Sequence, residues 1–355
     1  MKILYGVQGT GNGHITRARA LSAEFAKANI DVDYVFSGRH PQKYFNMEPF
    51  GDYRTLTGLT FFSQKGQVQY IKTALANRQI NFIRDIQTLQ LEQYDLVVTD
   101  FEPVTAWAAR LHKKNSIGIG HQYAFAYQVP ISGSNWINKF ILKHFEPATI
   151  TLGLHWHHFN NPILPPIVEP VTQTVKITPG KLLVYLPFED LDEIYHWLEP
   201  ETDYEFYVYH DLNEPEARGH IQLLPLSRIK FKLDLLSCEG VISNSGFVMS
   251  SEAIQLGKKI LTKPLLGQVE QISNAAALKM LGRANVISTL DRDGLRQWLT
   301  KSSPAPVHYP NVAREIVEWI KTGQTESLQS LSTRLWENSV TPRESRIALD
   351  SNLLN

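Results

Sequence analysis

Gly240-Val241-Ile242-Ser243-Asn244-Ser245-Gly246-Phe247-Val248-Met249-Ser250-Ser251-Glu252 is the stretch that decides the fold. Val241–Ser243 reads as a buried strand, Asn244–Gly246 as a turn of small residues, and Phe247–Leu256 as a helix. A further strand at Ile260–Thr262 and a helix at Gln271–Leu281 follow. Strand, turn, helix and strand at this spacing are the unit of a parallel sheet covered by helices. The turn and the first amides of the helix behind it form an anion site suited to a diphosphate. Glu252, two turns into that helix, is placed to accept bonds from both hydroxyls of a ribose. Glu270 and Gln271, at the start of the next helix, supply acceptors and a donor where a sugar ring would sit. Packing accounts for Gly246 and Gly257, but not for so many polar groups converging on loop ends.

Working outward, the same rhythm precedes this stretch, with strands expected at Leu182–Leu186, Tyr204–Tyr209 and Ile229–Phe231 and a helix at Leu191–Leu198. The first half repeats it. Lys2–Val7, Val32–Phe36, Tyr94–Thr99 and Ser116–Ile119 read as strands, and His14–Lys27 and Pro103–Leu111 as helices. Between the halves, the run NNPILPPIVEP (160–170) holds four prolines, which neither a helix nor a central strand accommodates. The expected organisation is α/β, two Rossmann-like domains with a cleft between them. It comprises an N-terminal domain (1–160), a linker (161–178), a C-terminal domain (179–322) and a helical tail (323–355). In open α/β sheets ligands bind beyond the carboxyl ends of the strands, so function is expected in those loops.

One such loop is Gly6-Val7-Gln8-Gly9-Thr10-Gly11-Asn12-Gly13-His14. Its glycines let a ligand approach backbone amides at a helix start. Their spacing is not GxGxxG, and the second strand ends in Phe36-Ser37-Gly38 without an acidic residue to hold a ribose, which argues against a dinucleotide. No GxxxxGK[ST] is present, so this is not a P-loop. His14 stands at the mouth of the loop, where a neutral imidazole makes a natural general base. Asp100 ends a buried strand toward the same crevice. Two readings of it are open: N-cap of the helix near Pro103, or a carboxylate that orients His14.

The second-half stretch, with Asn244-Ser245-Gly246-Phe247 and Glu252 in register, Gly257, Pro264 and then Glu270-Gln271-Ile272-Ser273-Asn274, resembles the donor motif of GT-B glycosyltransferases. The likeness is to the inverting family 1 type and the related lipid-acceptor enzymes of peptidoglycan synthesis. The resemblance implies that Glu252 binds donor ribose, that Gly246–Ser250, with Asn244, Ser245, Phe247 and Ser250, faces diphosphate, and that Glu270, Gln271 and Asn274 lie at the donor sugar. It also implies Gly13 as a donor contact and His14 as catalytic base, with Asp100 as its partner. It covers residues 5–20, 94–110 and 239–278. The family's histidine is Asn244 here and its Trp is Phe247.

The implied activity is inverting, metal-independent transfer of a sugar from a nucleoside-diphosphate sugar, with a lean to UDP, onto a carbohydrate or glycolipid hydroxyl. Eight residues after Glu252 stands Ile260, so the E-x7-E of retaining enzymes is absent. A nucleotide-sugar 2-epimerase and a non-catalytic nucleotide-sugar binder are the alternatives. Three Asp-x-Asp triplets occur, at 31–33, 190–192 and 291–293. None lies in the donor loop, so neither metal nor another cofactor is expected.

With 35 basic and 35 acidic residues the formal charge is zero, which speaks against a nucleic-acid binder. The single cysteine, Cys238, excludes an internal disulfide and favours a reducing cytoplasm. On the acceptor side, Glu102, His121 and Gln122 follow strand ends, where lining the cleft and packing are both open. The segment 136–145 mixes apolar bulk with basic residues, so resting on an anionic membrane face and packing in the core are both open.

Overall fold

From Ile3 to Gln8 every residue of β1 (Lys2–Gln8) is buried, as an apolar run without alternation requires of a central parallel strand. In the computed structural model, which describes residues 1–59, 63–64, 67–68, 79–132, 145–170 and 175–340, β1 leads into α1 (Asn12–Lys27). Ile15, Ala18, Leu21, Ser22 and Phe25 of α1 are buried, at the spacing of one helix face. β2 (Asp31–Ser37), β3 (Arg54–Leu56), α2 (Gln79–Thr88), β4 (Leu96–Asp100), α3 (Pro103–Leu111), β5 (Ser116–Gly120) and β6 (Ile150–Gly153) follow. Their sheet runs β3-β2-β1-β4-β5-β6, all parallel.

The second half holds β7 (Lys181–Tyr185), α4 (Leu191–Leu198), β8 (Glu205–His210), β9 (Glu216–Arg218), β10 (Ile221–Pro225) and α5 (Arg228–Ser237). Then come β11 (Gly240–Ser243), α6 (Phe247–Gln255), β12 (Lys259–Thr262), α7 (Val269–Met280), β13 (Asn285–Val286), α8 (Arg292–Leu299), α9 (Val312–Lys321) and α10 (Leu328–Glu337). This sheet runs β9-β10-β8-β7-β11-β12-β13, parallel except for the edge strand β9. Apart from that edge, both sheets have the doubly wound order 3-2-1-4-5-6, whose ligand crevice lies where the winding reverses. Those points are β1/β4 and β7/β11, and they carry the two loops singled out above.

One expected element is corrected: Ile229–Phe231 is not a strand but part of α5, which the Ser227 side chain caps at Lys230 N. The run Ile-Lys-Phe-Lys-Leu alternates with a strand's period. The alternation does not fit a core-facing helix because Ile229 and Leu233 are exposed, 68% and 47%, along a cavity. The proline-rich stretch between β6 and β7 is held in the interior. Ile163 and Leu164 are fully buried, and Leu164 bridges Leu154. The C-terminal helices return to the first half. Asn311, the cap of α9, donates to Glu24 of α1, and Ser332 and Trp336 of α10 both donate to the Ile163 carbonyl at 2.7 Å. Of the tail, residues 341–355 lie outside the described residues, as do 136–144 of the segment read for membrane contact. Among the described residues, no helix is long and apolar enough to cross a membrane.

Gly6 of β1 lies beneath α3, and a Cβ there would collide with the Thr105 side chain. Gly6→Ala is expected to cost about 1–3 kcal/mol by overpacking. Urea unfolding of this variant, and of Gly6→Ala combined with Thr105→Ala, measures it; the second change should recover part of the loss.

Candidate active site

At the β1/β4 reversal, Asp100 is fully buried at the strand end and holds two partners. Its Oδ1 lies 2.7 Å from His14 Nδ1, and its Oδ2 accepts from Arg17 Nε at 2.7 Å. Arg17 Nη2 makes a second, shorter bond to Oδ1, so the guanidinium grips the carboxylate as a fork. Burial alone would raise the Asp100 carboxyl, but Arg17 first and His14 second hold it below the usual carboxylate range. An ionised Asp100 fixes the tautomer. His14 donates through Nδ1, which leaves the Nε2 lone pair free to take a proton.

The chain after Asp100 is strained. Phe101 has φ +53°, a conformation rarely adopted by bulky residues and often found at functional sites. It lays its ring parallel to His14, with centroids 6.1 Å apart. Of the two readings of Asp100, the cap falls away: Glu102 caps α3, accepting from Val104 N at 3.0 Å and Thr105 N at 2.6 Å. Glu102 also takes the Ser37 and Thr105 hydroxyls and is wholly buried, contacts that favour packing over lining the cleft.

His121 and Gln122 are engaged in the same way. His121 is 1% exposed, its Nε2 facing Asn274 Oδ1 at 2.5 Å and its ring stacked on Phe247 at 4.1 Å. Gln122 donates to Glu270 Oε2 at 3.0 Å. Both therefore tie the first half to the second and, in this conformation, offer no open face to an acceptor.

At the β7/β11 reversal, the turn residues divide into those that hold it and those that face outward. Ser245 bonds Thr262, Asn274 donates to the Ser245 carbonyl, and Gln271 accepts from Leu265 N. All three are buried, and these bonds hold the turn and the loop behind it. Asn244 donates to the Lys263 carbonyl while its buried Oδ1 lacks a partner among the described residues, as does the Ser250 hydroxyl. Gly246 caps α6 without a side chain, and a Cβ there would meet open space. Gly11 likewise starts α1 without a side-chain cap. By contrast, side chains cap α3, α4 and α5. The two helices that begin at the sheet reversals thus keep their N-terminal amides for another partner. They meet across the halves, since a Cβ on Gly13 would lie 3.3 Å from Val248 of α6.

Beside α6, a cavity of about 230 Å³ is lined by Glu252, Gln255, Glu169, Arg228, Ile229 and Lys232. Arg228 bonds Glu169 at 2.6 Å and Lys232 binds the other oxygen. Burial, then the nearby Glu169, pushes the Glu252 carboxyl up to about 7.

A family model described as glycosyl transferase family 1 matches residues 1–302. The chain belongs to this family. It is a glycosyltransferase of GT-B fold, with the two parallel-sheet units described above. The fold is similar to SnogD from Streptomyces nogalater, with 13% identity over 95% of this chain and 99% of that one and a TM-score of 0.51. The glycosyltransferase VinC, solved in complex with dTDP, gives 13% identity, 99% and 100% coverage and a TM-score of 0.53. MurG of Acinetobacter baumannii gives 13%, 100%, 99% and 0.51. No curated protein matches by sequence.

Sequence reasoning missed three features of the candidate site: Arg17, the strained Phe101, and the Glu169–Arg228–Lys232 group. Arg17 carries a usable signal, an arginine three residues after His14 and so on the same helix face. The group around the cavity carries none, because Glu169 lies 59 residues from Arg228.

Proposed function

We propose that this glycosyltransferase moves a sugar from a nucleoside-diphosphate donor, UDP-linked by preference, to a carbohydrate or glycolipid hydroxyl by a single inverting displacement. The observation that carries this reading is the Arg17–Asp100–His14 chain, set at the start of α1 where it meets the uncapped end of α6. His14 Nε2 takes the acceptor's hydroxyl proton as the acceptor oxygen bonds to the anomeric carbon. The bond from that carbon to the diphosphate oxygen breaks, and the diphosphate leaves with both electrons. The imidazolium is stabilised by Asp100, and the leaving charge by the amides of Gly246–Ser250. Because those amides supply the positive end, the reaction is expected to proceed without a divalent cation. The nucleoside occupies the cavity beside α6, with Glu252 on its ribose.

The test is calorimetric titration of UDP in EDTA, with GDP, dTDP, ADP and NAD as comparisons. Selective UDP binding without metal supports the reading; binding of NAD alone would refute it. Glu252→Ala is expected to weaken nucleotide binding by about 1–3 kcal/mol, one or two hydrogen bonds to a ribose. Unchanged affinity would remove Glu252 from the site. Product analysis with UDP-sugars separates transfer, which needs an acceptor, from epimerisation of the donor itself.

A further inference from the structure

A second and larger cavity, of about 700 Å³, lies between the segment after β6, the end of α7 and the C-terminal helix α10. Its size is in the range of about 300–1,000 Å³ typical of ligand sites. Neither His14 nor Asp100 nor Glu252 lines it.

Its lining has a cation that no carboxylate pairs: Glu337 also lines the cavity, but no ion pair joins it to Arg283 among the described residues. Arg283 is partly buried there, and its guanidinium makes no hydrogen bond or ion pair among the described residues. Burial pulls this guanidinium below its ordinary value, the direction expected when no carboxylate compensates it. A half-desolvated cation is costly unless an anion reaches it.

The lining is also aromatic. Trp336 and Tyr309 meet edge to face with centroids 6.4 Å apart. The indole N–H of Trp336 is already given to Ile163, so what it offers the cavity is ring surface. Asn160 and Gln329 bring carboxamides, each with a donor and an acceptor, the pair that neighbouring hydroxyls match. The loop that presents Asn160 is strained: Phe159 and Asn160 are consecutive non-glycine residues at φ +48° and +57°. Asn161 donates to the Phe159 carbonyl at 2.6 Å and holds it so. Backbone strain retained by a specific bond beside a cavity is a mark of a functional surface.

We propose that this cavity binds an anionic saccharide, a sugar bearing a phosphate or a carboxylate, at a site separate from the transfer cleft. Arg283 takes the anion, the Trp336 and Tyr309 rings cover the apolar face of the sugar, and the two carboxamides read its hydroxyls. The site communicates with the donor helix through Trp156, which lines the cavity and donates to Ser251 of α6 at 2.8 Å.

Glucose 6-phosphate and glucuronate, titrated into the full chain beside glucose and inorganic phosphate, test this assignment. At least one anionic sugar is expected to bind about tenfold more tightly than either comparison, the value of one charge-assisted bond. Arg283→Gln should abolish that excess without lowering the melting temperature, since among the described residues the Arg283 side chain makes no hydrogen bond or ion pair. Thr333→Trp, which fills the cavity from α10, should abolish it as well. The proposal is overturned if no anionic sugar exceeds inorganic phosphate, or if the excess survives in both variants. Neither result bears on UDP binding, which is measured at the other cavity.

Discussion

Replacing His14 by alanine is expected to lower the rate of sugar transfer by a factor of about 10²–10⁴, the usual contribution of a positioned general base. Donor affinity should stay nearly intact. The imidazole is bound through Nδ1 to Asp100, and nothing in the geometry makes it a nucleotide contact. The loss should therefore fall on kcat and not on KM for the donor, the pattern of an interaction made only in the transition state. Steady-state kinetics with a UDP-sugar and a competent acceptor, together with UDP titration of the variant, check both halves. Full activity in His14→Ala would remove the base assignment while leaving the family and fold untouched.

The second large effect is on stability. Arg17→Met is expected to cost about 3–5 kcal/mol, because it leaves the fully buried Asp100 carboxylate without the guanidinium that compensates its burial. The wild-type Asp100 carboxyl lies below its unfolded value. The stability it contributes is therefore present above the unfolded pKa and lost as pH falls through the folded one. Without Arg17 the burial effect prevails and the folded carboxyl rises above its unfolded value, so the variant should weaken as pH increases. Urea unfolding at pH 5 and pH 8 separates the two cases: the gap between wild type and Arg17→Met should widen at the higher pH. A gap that does not change with pH would mean that His14 alone keeps Asp100 ionised. Arg17→Lys, which keeps the charge but not the fork, should recover part of the loss.

The fold was readable from local pattern because its elements are locally consistent. Pro103–Leu111 and Leu191–Leu198 form helices over the spans their apolar spacing predicts. The strands β1, β4 and β11 are apolar runs too short for helices and closed by small or polar residues. The exception, α5, fails for a physical reason: its apolar residues answer to a cavity and not to the core, so their period no longer reports the backbone. Periodicity carries backbone information only where one face is buried.

The sequence by itself determined two doubly wound units, the glycine turn before His14, the strand-ending Asp100, and the turn and helix that carry Gly246 and Glu252. Each of these rests on neighbours within a turn or a strand length. Only the tertiary structure decided which polar groups face the crevice and which hold it together. Glu102, Gln271 and Asn274 are spent on a helix cap, a loop amide and a turn carbonyl, while His121 and Gln122 join the two halves. Their chemistry suits binding and support equally well, and burial, which depends on residues more than 100 positions away, made the choice in the last two cases. Arg17 shows the same limit from the other side. Its place three residues after His14 was visible, but its partner lies 83 residues on, across two strands of the sheet.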